Sequence, residues 1–206
     1  MKNKFNKTLV FTIMLILCTL TAACGVKSVN ESIKSADGTA KAEAVTKDSD
    51  KKVTGTISLK TLKTIPEFKC TDVNGKEVSS EIFKDSKITL INLWGTWCSP
   101  CVDELPDLGK LYEKVKDKGL NVVGVVEDGM KNEENVKKIL DKSKITFTNI
   151  IPDERFYDDF VSLCGLYPAS LLVDSSGQVV GELINGARTE DEYINLIEDA
   201  LEKLKR

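Results

Sequence analysis

The feature that most constrains the fold of this chain is a mostly apolar run that leads directly into two cysteines. Residues 88–93 read ITLINL and are followed at positions 94–101 by WGTWCSPC. This pattern predicts a buried strand that delivers both cysteines to the first turn of a helix, where Pro100 is tolerated because early helix positions need no N–H donor. The positive end of the helix favours the thiolate form of Cys98, and Cys101 is close enough to form a disulfide with it. We therefore predict a reversible dithiol/disulfide pair.

Two other roles are open to a Cys-x-x-Cys pair, namely a structural disulfide and a zinc site. A disulfide across two intervening residues is strained, and buried structural cysteines seldom have these flanking residues. A zinc site takes four ligands, usually from two Cys-x-x-Cys pairs or from added histidines. This chain has no histidine and no second Cys-x-x-Cys, so redox chemistry is the preferred interpretation, and no metal or cofactor is predicted.

Three separated motifs occur in the order that is typical of the thioredoxin superfamily. They are TDVNGK at 71–76, LINLWGTW at 90–97 and YPASLLVD at 167–174. From Ile65 to the C-terminus the chain resembles the TlpA/ResA-like group of membrane-anchored thiol–disulfide oxidoreductases, which are redoxin-domain lipoproteins. The resemblance implies an α/β fold of the thioredoxin-like type, with a central mixed β-sheet flanked by helices and an N-terminal β-hairpin extension.

Hydrophobic periodicity predicts the helices and strands in this part of the chain. Strands are predicted at 87–94, 120–126, 147–151, 168–173 and 178–183. Helices are predicted at 100–118, 130–143, 154–161 and 189–204. In the last helix Thr189 is a suitable N-cap, and Glu192 is placed to complete a capping box.

The resemblance implies catalytic roles for Cys98, Cys101 and Glu104. Cys98 is the expected nucleophile, which attacks a client disulfide to form a mixed disulfide, and Cys101 is the expected resolving thiol. Glu104 follows Cys101 by three residues and returns to the same helix face, where a glutamate of this group handles protons. Two alternatives remain: Asp103 could take this role, or Glu104 could be a first-turn acid stabilised by the helix dipole. Thioredoxins proper carry a buried aspartate at the place of Asn92, so this chain lacks that proton acceptor.

The resemblance also implies a substrate-binding surface made by Trp97, Tyr167 and Pro168. In this superfamily the bond at the place of Tyr167–Pro168 is cis and lies opposite the cysteines, where it exposes backbone that pairs with an extended client peptide. The alternatives are an ordinary trans proline that starts a strand and, for Trp97, an aromatic side chain that only packs in the core.

Within the predicted domain at 57–206, two further cysteines, Cys70 and Cys164, lie outside the motif. Leftover cysteines in an oxidising compartment tend to pair, so one hypothesis is a second disulfide that holds the hairpin near the active site. The alternative is two buried thiols that act as small apolar residues. The sequence leaves both open.

The N-terminal region predicts a leader and a tether. Residues 1–23 combine three lysines, a short apolar run and small residues before Cys24, which is the pattern of a lipoprotein signal peptide whose cleavage leaves Cys24 lipidated. Thr21 replaces the usual aliphatic residue three positions before the cysteine, so ordinary cleavage and retention as an uncleaved anchor remain alternatives. Residues 24–56 have few large apolar groups and predict a flexible tether. Residues 57–206 are the predicted thioredoxin-like domain.

Charge and the resemblance together lead to a hypothesis about function. The formal net charge is −3, and loss of the leader lysines makes it more negative, which argues against a nucleic-acid partner. The hypothesis is a monomeric thiol–disulfide oxidoreductase that is anchored through Cys24 to the extracytoplasmic face of the bacterial cell membrane and reduces client disulfides. The expected partners are client proteins, such as apocytochrome c or a methionine sulfoxide reductase, and a membrane electron-donor protein.

Two alternatives of a different kind accompany this hypothesis. One is a disulfide-forming oxidase of the same fold, and the other is a non-enzymatic client-binding module. A thiol peroxidase is disfavoured, because Gly95 stands where such enzymes carry a threonine.

Overall fold

The computed structural model describes residues 58–205, in which seven strands form one mixed sheet in the order β2-β1-β5-β4-β3-β6-β7. The strands are β1 (Lys69–Asp72), β2 (Glu77–Ser79), β3 (Ile88–Trp94), β4 (Leu120–Val126), β5 (Asn149–Ile151), β6 (Ala169–Val173) and β7 (Ile184–Asn185). The α-helices are α1 (Ser99–Val115), α2 (Gly129–Lys142), α3 (Glu154–Asp159) and α4 (Glu190–Lys203). Short 3-10 helices occupy Leu59–Thr61, Ser80–Phe83, Lys116–Lys118 and Val161–Leu163.

The described residues correspond to the predicted thioredoxin-like domain apart from its two terminal positions. The predicted signal peptide at 1–23, the lipidation site Cys24 and the tether at 24–56 lie outside them. Among the helices within residues 58–205, none is both long and apolar enough to cross a bilayer.

The central strand is β3, whose residues are all buried. It runs parallel to β4 and antiparallel to β6. Because it is covered on both faces, its sequence is nearly continuously apolar instead of alternating with polar residues. Successive side chains point to opposite faces, so Ile88, Leu90 and Trp94 contribute to one core cluster, whereas Ile91 and Leu93 contribute to the other.

The two faces of the sheet are covered by different elements. The face that receives Trp94 is packed by α1, α2 and α4, and we call it the three-helix face. The opposite face is packed by α3 and by 3-10 segments, and four phenylalanines lie in its core, so we call it the phenylalanine face. Their ring centroids are 4.4 Å apart for Phe68–Phe156, 5.2 Å for Phe156–Phe160 and 6.0 Å for Phe68–Phe83.

Local sequence signals explain how two of these elements begin. In the β1–β2 hairpin the side chain of Asp72 accepts the backbone N–H groups of Asn74 and Lys76 at 2.8 and 2.9 Å, and Gly75 adopts a φ of 77°. Glycine tolerates this left-handed conformation without steric strain. At the start of α4 the predicted capping box between Thr189 and Glu192 is confirmed.

One predicted strand is wrong. The segment 178–183 contains only isolated bridges, at Gln178 and Val179, and the edge strand β7 begins directly after it, at Ile184. Gly181 has a φ of 91°, which is incompatible with an extended strand and ends the pairing there.

Candidate active site

The two cysteines lie where the chain passes from β3 into α1, and they form a disulfide with Cα atoms 5.2 Å apart. Cys98 is the N-cap of α1, and its Sγ accepts the backbone N–H of Cys101 at 3.3 Å. Cys98 is 4% exposed and Cys101 is 0% exposed, so the first cysteine is the one nearer to solvent.

The turn before the cysteines depends on Gly95. Its carbonyl accepts the backbone N–H of Cys98 at 3.1 Å, and a Cβ at this position would lie 2.7 Å from Nε1 of Trp97. A threonine here would therefore have to displace the indole.

Trp97 forms an exposed aromatic surface beside the disulfide. Its side chain is 61% exposed, yet its orientation is fixed, because Nε1 donates to Glu127 at 2.9 Å and the ring packs edge-on against Tyr167 at 5.5 Å. The other carboxylate oxygen of Glu127 accepts the hydroxyl of Tyr157 at 2.9 Å. The alternative that Trp97 only packs in the core is therefore wrong.

The Tyr167–Pro168 bond is cis, as predicted. Pro168 immediately precedes β6, and Ala169 pairs with Leu93 in the register between β6 and β3. The cis-proline therefore lies at the end of the sheet from which the chain continues to Cys98.

Glu104 is buried on the three-helix face and is only 3% exposed. One carboxylate oxygen accepts Nδ2 of Asn92 at 2.7 Å, and the other accepts the backbone N–H of Arg188 at 3.1 Å and the hydroxyl of Tyr193 at 3.2 Å. Burial raises the pKa of the Glu104 carboxyl above its ordinary value, and the three hydrogen bonds partly oppose this shift.

Two alternatives were open for the proton-handling role of Glu104, and burial and the start of α1 bear on them. Asp103 is exposed, whereas Glu104 faces the core. Because α1 begins at Ser99, Glu104 lies in its second turn, and the interpretation of Glu104 as a first-turn acid is wrong.

The predicted site residues did not include Ser170, Tyr193 and Glu127, although the structure places all three at the site. Ser170 pairs directly with Asn92 in the β3–β6 register, and both are polar residues in buried strands that are mostly apolar. Such residues nearly always have buried hydrogen-bond partners, so this signal was present in the sequence. Tyr193 and Glu127 gave no comparable signal, because their contacts join segments far apart in the chain.

Cys70 and Cys164 are free thiols, so the hypothesis of a second disulfide is not supported. The Sγ of Cys70 accepts the backbone N–H of Asp153 at 3.5 Å, and that of Cys164 donates to the carbonyl of Leu166 at 3.1 Å. Burial raises the pKa of both thiols, which makes them poorer nucleophiles. No cluster of three or more metal-ligating side chains occurs within residues 58–205.

A disulfide-bonded Cys-x-x-Cys pair at the N-terminus of a helix, on a mixed sheet with a neighbouring cis-proline, is typical of the class of thiol–disulfide oxidoreductases with a thioredoxin-like fold. Comparison with known proteins agrees with this class. The model of the AhpC/TSA family matches residues 61–181. The chain therefore belongs to the AhpC/TSA family.

Individual relatives narrow this assignment to a ResA-like thiol–disulfide oxidoreductase. The thiol-disulfide oxidoreductase ResA of a Bacillus cereus strain is 33% identical over 135 residues, which cover 63% of this chain and 72% of that protein. ResA of Bacillus thuringiensis subsp. konkukian is 31% identical over 144 residues, covering 69% and 77%. The crystal structure of a thiol:disulfide interchange protein of the thioredoxin family from Chlorobium tepidum TLS superposes with a TM-score of 0.59 at 26% identity, covering 68% of this chain and 96% of that one.

Proposed function

We propose that this protein reduces disulfides of client proteins at the extracytoplasmic face of the bacterial cell membrane. The observation that carries the proposal is the position of the Cys98–Cys101 pair at the first turn of α1, with a buried carboxylate, Glu104, one turn further along the same helix. This arrangement supplies a nucleophile, a resolving thiol and a proton acceptor within a single element.

The proposed reaction proceeds through a mixed disulfide. In the reduced protein the thiolate of Cys98 attacks one sulfur of the client disulfide, and the other client sulfur leaves as a thiolate. Cys101 then loses its proton and attacks Sγ of Cys98, which releases the second client sulfur as a thiolate. Two electrons have passed to the client, whose sulfurs take up protons, and the protein is left with the Cys98–Cys101 disulfide. A dithiol protein at the membrane then reduces this disulfide.

Glu104 is the proposed acceptor of the proton that Cys101 releases. The two residues are three apart in α1 and therefore share a helix face, and both are buried. Because burial raises the pKa of the Glu104 carboxyl, it is a better base than an exposed glutamate.

The proposed client-binding surface consists of Trp97, Tyr167 and Pro168. The edge-on packing of Trp97 against Tyr167 and its hydrogen bond to Glu127 support a rigid surface beside Cys98. Rigid aromatic side chains lose little conformational entropy when a partner binds. The backbone of Tyr167 is proposed to pair with the client in an extended conformation.

The proposed anchoring rests on the sequence of the N-terminal region. Residues 1–23 act as the signal peptide, Cys24 carries the lipid, and residues 24–56 tether the catalytic domain at 57–206 within reach of the membrane surface. The proposed clients are apocytochrome c or a methionine sulfoxide reductase, and the electron donor is a membrane protein. The protein acts as a monomer without a cofactor.

The direction of electron flow is tested by the reduction potential of the Cys98–Cys101 pair, measured by equilibration in thiol/disulfide buffers. We expect a value near or below about −250 mV, which is the range of disulfide reductants. A value above about −150 mV would instead identify an oxidase that introduces disulfides.

A trapping experiment tests the mixed disulfide. Cys101→Ser in a Cys164→Ser background leaves Cys98 without its resolving partner and removes Cys164, a free thiol that is partly exposed. We expect this variant to accumulate a covalent adduct with a disulfide-containing peptide, seen by mass spectrometry under non-reducing conditions. The matched control, Cys98→Ser with Cys164→Ser, should form none. Equal adduct in both variants, or none in either, would contradict the assignment of Cys98 as nucleophile.

A further inference from the structure

Four buried side chains form a closed hydrogen-bonded ring on the three-helix face, which we call the buried polar ring. Its members come from β3, α1, β6 and α4 and are Asn92, Glu104, Ser170 and Tyr193. The four bonds measure 2.7 Å for Asn92–Glu104, 3.1 Å for Asn92–Ser170, 3.1 Å for Ser170–Tyr193 and 3.2 Å for Tyr193–Glu104. Each member is at most 3% exposed, so the ring is closed to bulk water.

The donors of the ring converge on Glu104 when its carboxyl is ionised. Asn92 has two Nδ2 protons and donates one to Glu104 and the other to Ser170. Tyr193 then donates to the carboxylate, and Ser170 donates to Tyr193. The amide orientation of Asn92 leaves its buried Oδ1 without a hydrogen-bond partner among the described residues. A buried acceptor without a hydrogen-bond partner is unfavourable. The orientation of the Asn92 amide, which donates to Glu104, therefore favours the ionised carboxylate.

The same heavy atoms also accommodate a protonated Glu104. A proton on the carboxyl oxygen that faces Tyr193 lets Glu104 donate to the tyrosine oxygen, and Tyr193 then donates to Ser170. The Ser170–Tyr193 bond allows either direction, because each partner is a hydroxyl. Only two hydroxyl hydrogens have to rotate, and the hydrogen of Ser170 then points away from the ring. Burial raises the pKa of Tyr193, so the tyrosine keeps its proton throughout.

We propose that Tyr193 and Ser170 are positioning residues that form a reversible hydroxyl chain and thereby let Glu104 gain and lose a proton in a dry core without movement of heavy atoms. This inference rests on the proposed role of Glu104 as proton acceptor for Cys101. It adds to that role a reason why a carboxyl sealed in the core can change its charge during each cycle.

Among residues 58–205, few charged or titratable groups lie around Glu104. From α1 it shares a face with Cys101, and from α4 it receives the hydroxyl of Tyr193. Before α4, Arg188 donates its backbone N–H, and its guanidinium binds the carbonyls of Gly186 and Ala187. The positive charge of Arg188 lowers the pKa of the Glu104 carboxyl, although less than burial raises it. The strands β3 and β6 contribute only the neutral side chains of Asn92 and Ser170.

The protonation of Glu104 can be followed directly by infrared spectroscopy of the purified protein. The carboxylic acid C=O band that is lost in Glu104→Gln reports protonated Glu104, and its pH midpoint is measured in the oxidised and the reduced states. Tyr193→Phe removes one donor to the carboxylate, so we expect the midpoint to rise by about one pH unit, as for loss of one hydrogen bond to a charged group. Tyr112→Phe is the matched control, because Tyr112 is on α1 outside the ring, and it should leave the midpoint unchanged.

Ser170→Ala is a second variant, for which we expect the pH midpoint of Glu104 to shift in the opposite direction. In the protonated form it leaves the Tyr193 hydroxyl hydrogen without an acceptor, whereas in the ionised form Tyr193 still donates to Glu104 and loses only the donor to its oxygen. The substitution therefore disfavours the protonated form more and should move the midpoint to lower pH. A wild-type midpoint in Tyr193→Phe, or a shift in the same direction for Tyr193→Phe and Ser170→Ala, would overturn the hydroxyl chain. Failure of the proposed role of Glu104 as proton acceptor is a separate outcome: the midpoint would then be identical in the oxidised and reduced wild-type protein.

Discussion

The phenylalanine face and the three-helix face of the sheet each carry a buried core, but the side chains in the two cores differ in chemistry. On the phenylalanine face, Phe68, Phe156 and Phe160 stack in sequence, and the side chains of its core cluster are apolar. On the three-helix face, the apolar core formed by α1, α2 and α4 surrounds the buried polar ring, which contains the ionisable Glu104.

The two faces therefore make different contributions: the phenylalanine face stabilises the fold, and the three-helix face holds an ionisable group. Stacked apolar rings stabilise the fold by burial and by aromatic contacts, and they do not respond to pH or redox state. A buried carboxyl lowers stability when it is ionised, and hydrogen bonds offset only part of this effect. Under the proposed function, this destabilisation is tolerated because the cysteine pair at the start of α1 needs a proton acceptor inside the protein.

The largest expected effect comes from breaking the phenylalanine face. Phe160 is 0% exposed and stacks on Phe156, so Phe160→Ala leaves a cavity and should lower the free energy of unfolding by about 3–5 kcal/mol, measured by urea denaturation. The matched control is Leu166→Ala, whose side chain is 57% exposed and whose change should stay within about 0.5 kcal/mol.

The same Phe160→Ala variant should leave the redox chemistry intact. Its reduction potential, measured at a temperature where the variant is folded, is expected to equal that of the wild type, because no atom of the three-helix face is changed. A large change in potential would show that the two faces are not independent.

A smaller loss of stability is expected from crowding the three-helix face. A Cβ on Gly124 of β4 would lie 2.0 Å from Oδ1 of Asn149, the atom that accepts the indole N–H of Trp94 at 2.9 Å. Gly124→Ala must therefore displace Asn149 and should cost about 1–3 kcal/mol in urea denaturation. Gly165→Ala is the control, because a Cβ at Gly165 meets nothing within 4 Å. Equal effects of the two substitutions would contradict this packing argument.

The sequence predicted the parts of this molecule that depend on local pattern. The apolar run of β3, the Cys98–Cys101 motif and the capping box of α4 each involve residues close together in the chain, and all three are confirmed. The predicted strand at 178–183 failed because the left-handed conformation of Gly181 cannot be distinguished, in the sequence, from a glycine in a bulge.

The hydrogen-bond partners in the buried polar ring could not be predicted from local sequence pattern. Glu104 was predicted from the family resemblance together with its helical spacing to Cys101, but residues from β6 and α4 complete its environment. Ser170 is 78 residues away from Asn92 and Tyr193 is 89 away from Glu104, so only the tertiary fold brings them together. Arg188 contributes to the site through its backbone N–H, which no side-chain pattern reveals.

The smallest expected effect, and the one that separates the two faces most clearly, is the pH dependence of stability. Burial raises the pKa of Glu104 above its unfolded value, so the folded state keeps this proton at pH values where the unfolded state has lost it. The stability of the wild type therefore falls as pH rises from the unfolded carboxyl pKa through the raised folded pKa, and no further change from this group occurs above that value. Glu104→Gln has no such proton, so its free energy of unfolding minus that of the wild type should increase across this window and then stay constant.

Urea denaturation at a series of pH values measures this difference, with Asp103→Asn on the exposed side of α1 as a control that should run parallel to the wild type. If the Glu104→Gln curve also ran parallel to the wild type, the buried carboxyl would not be the group that distinguishes the three-helix face from the phenylalanine face.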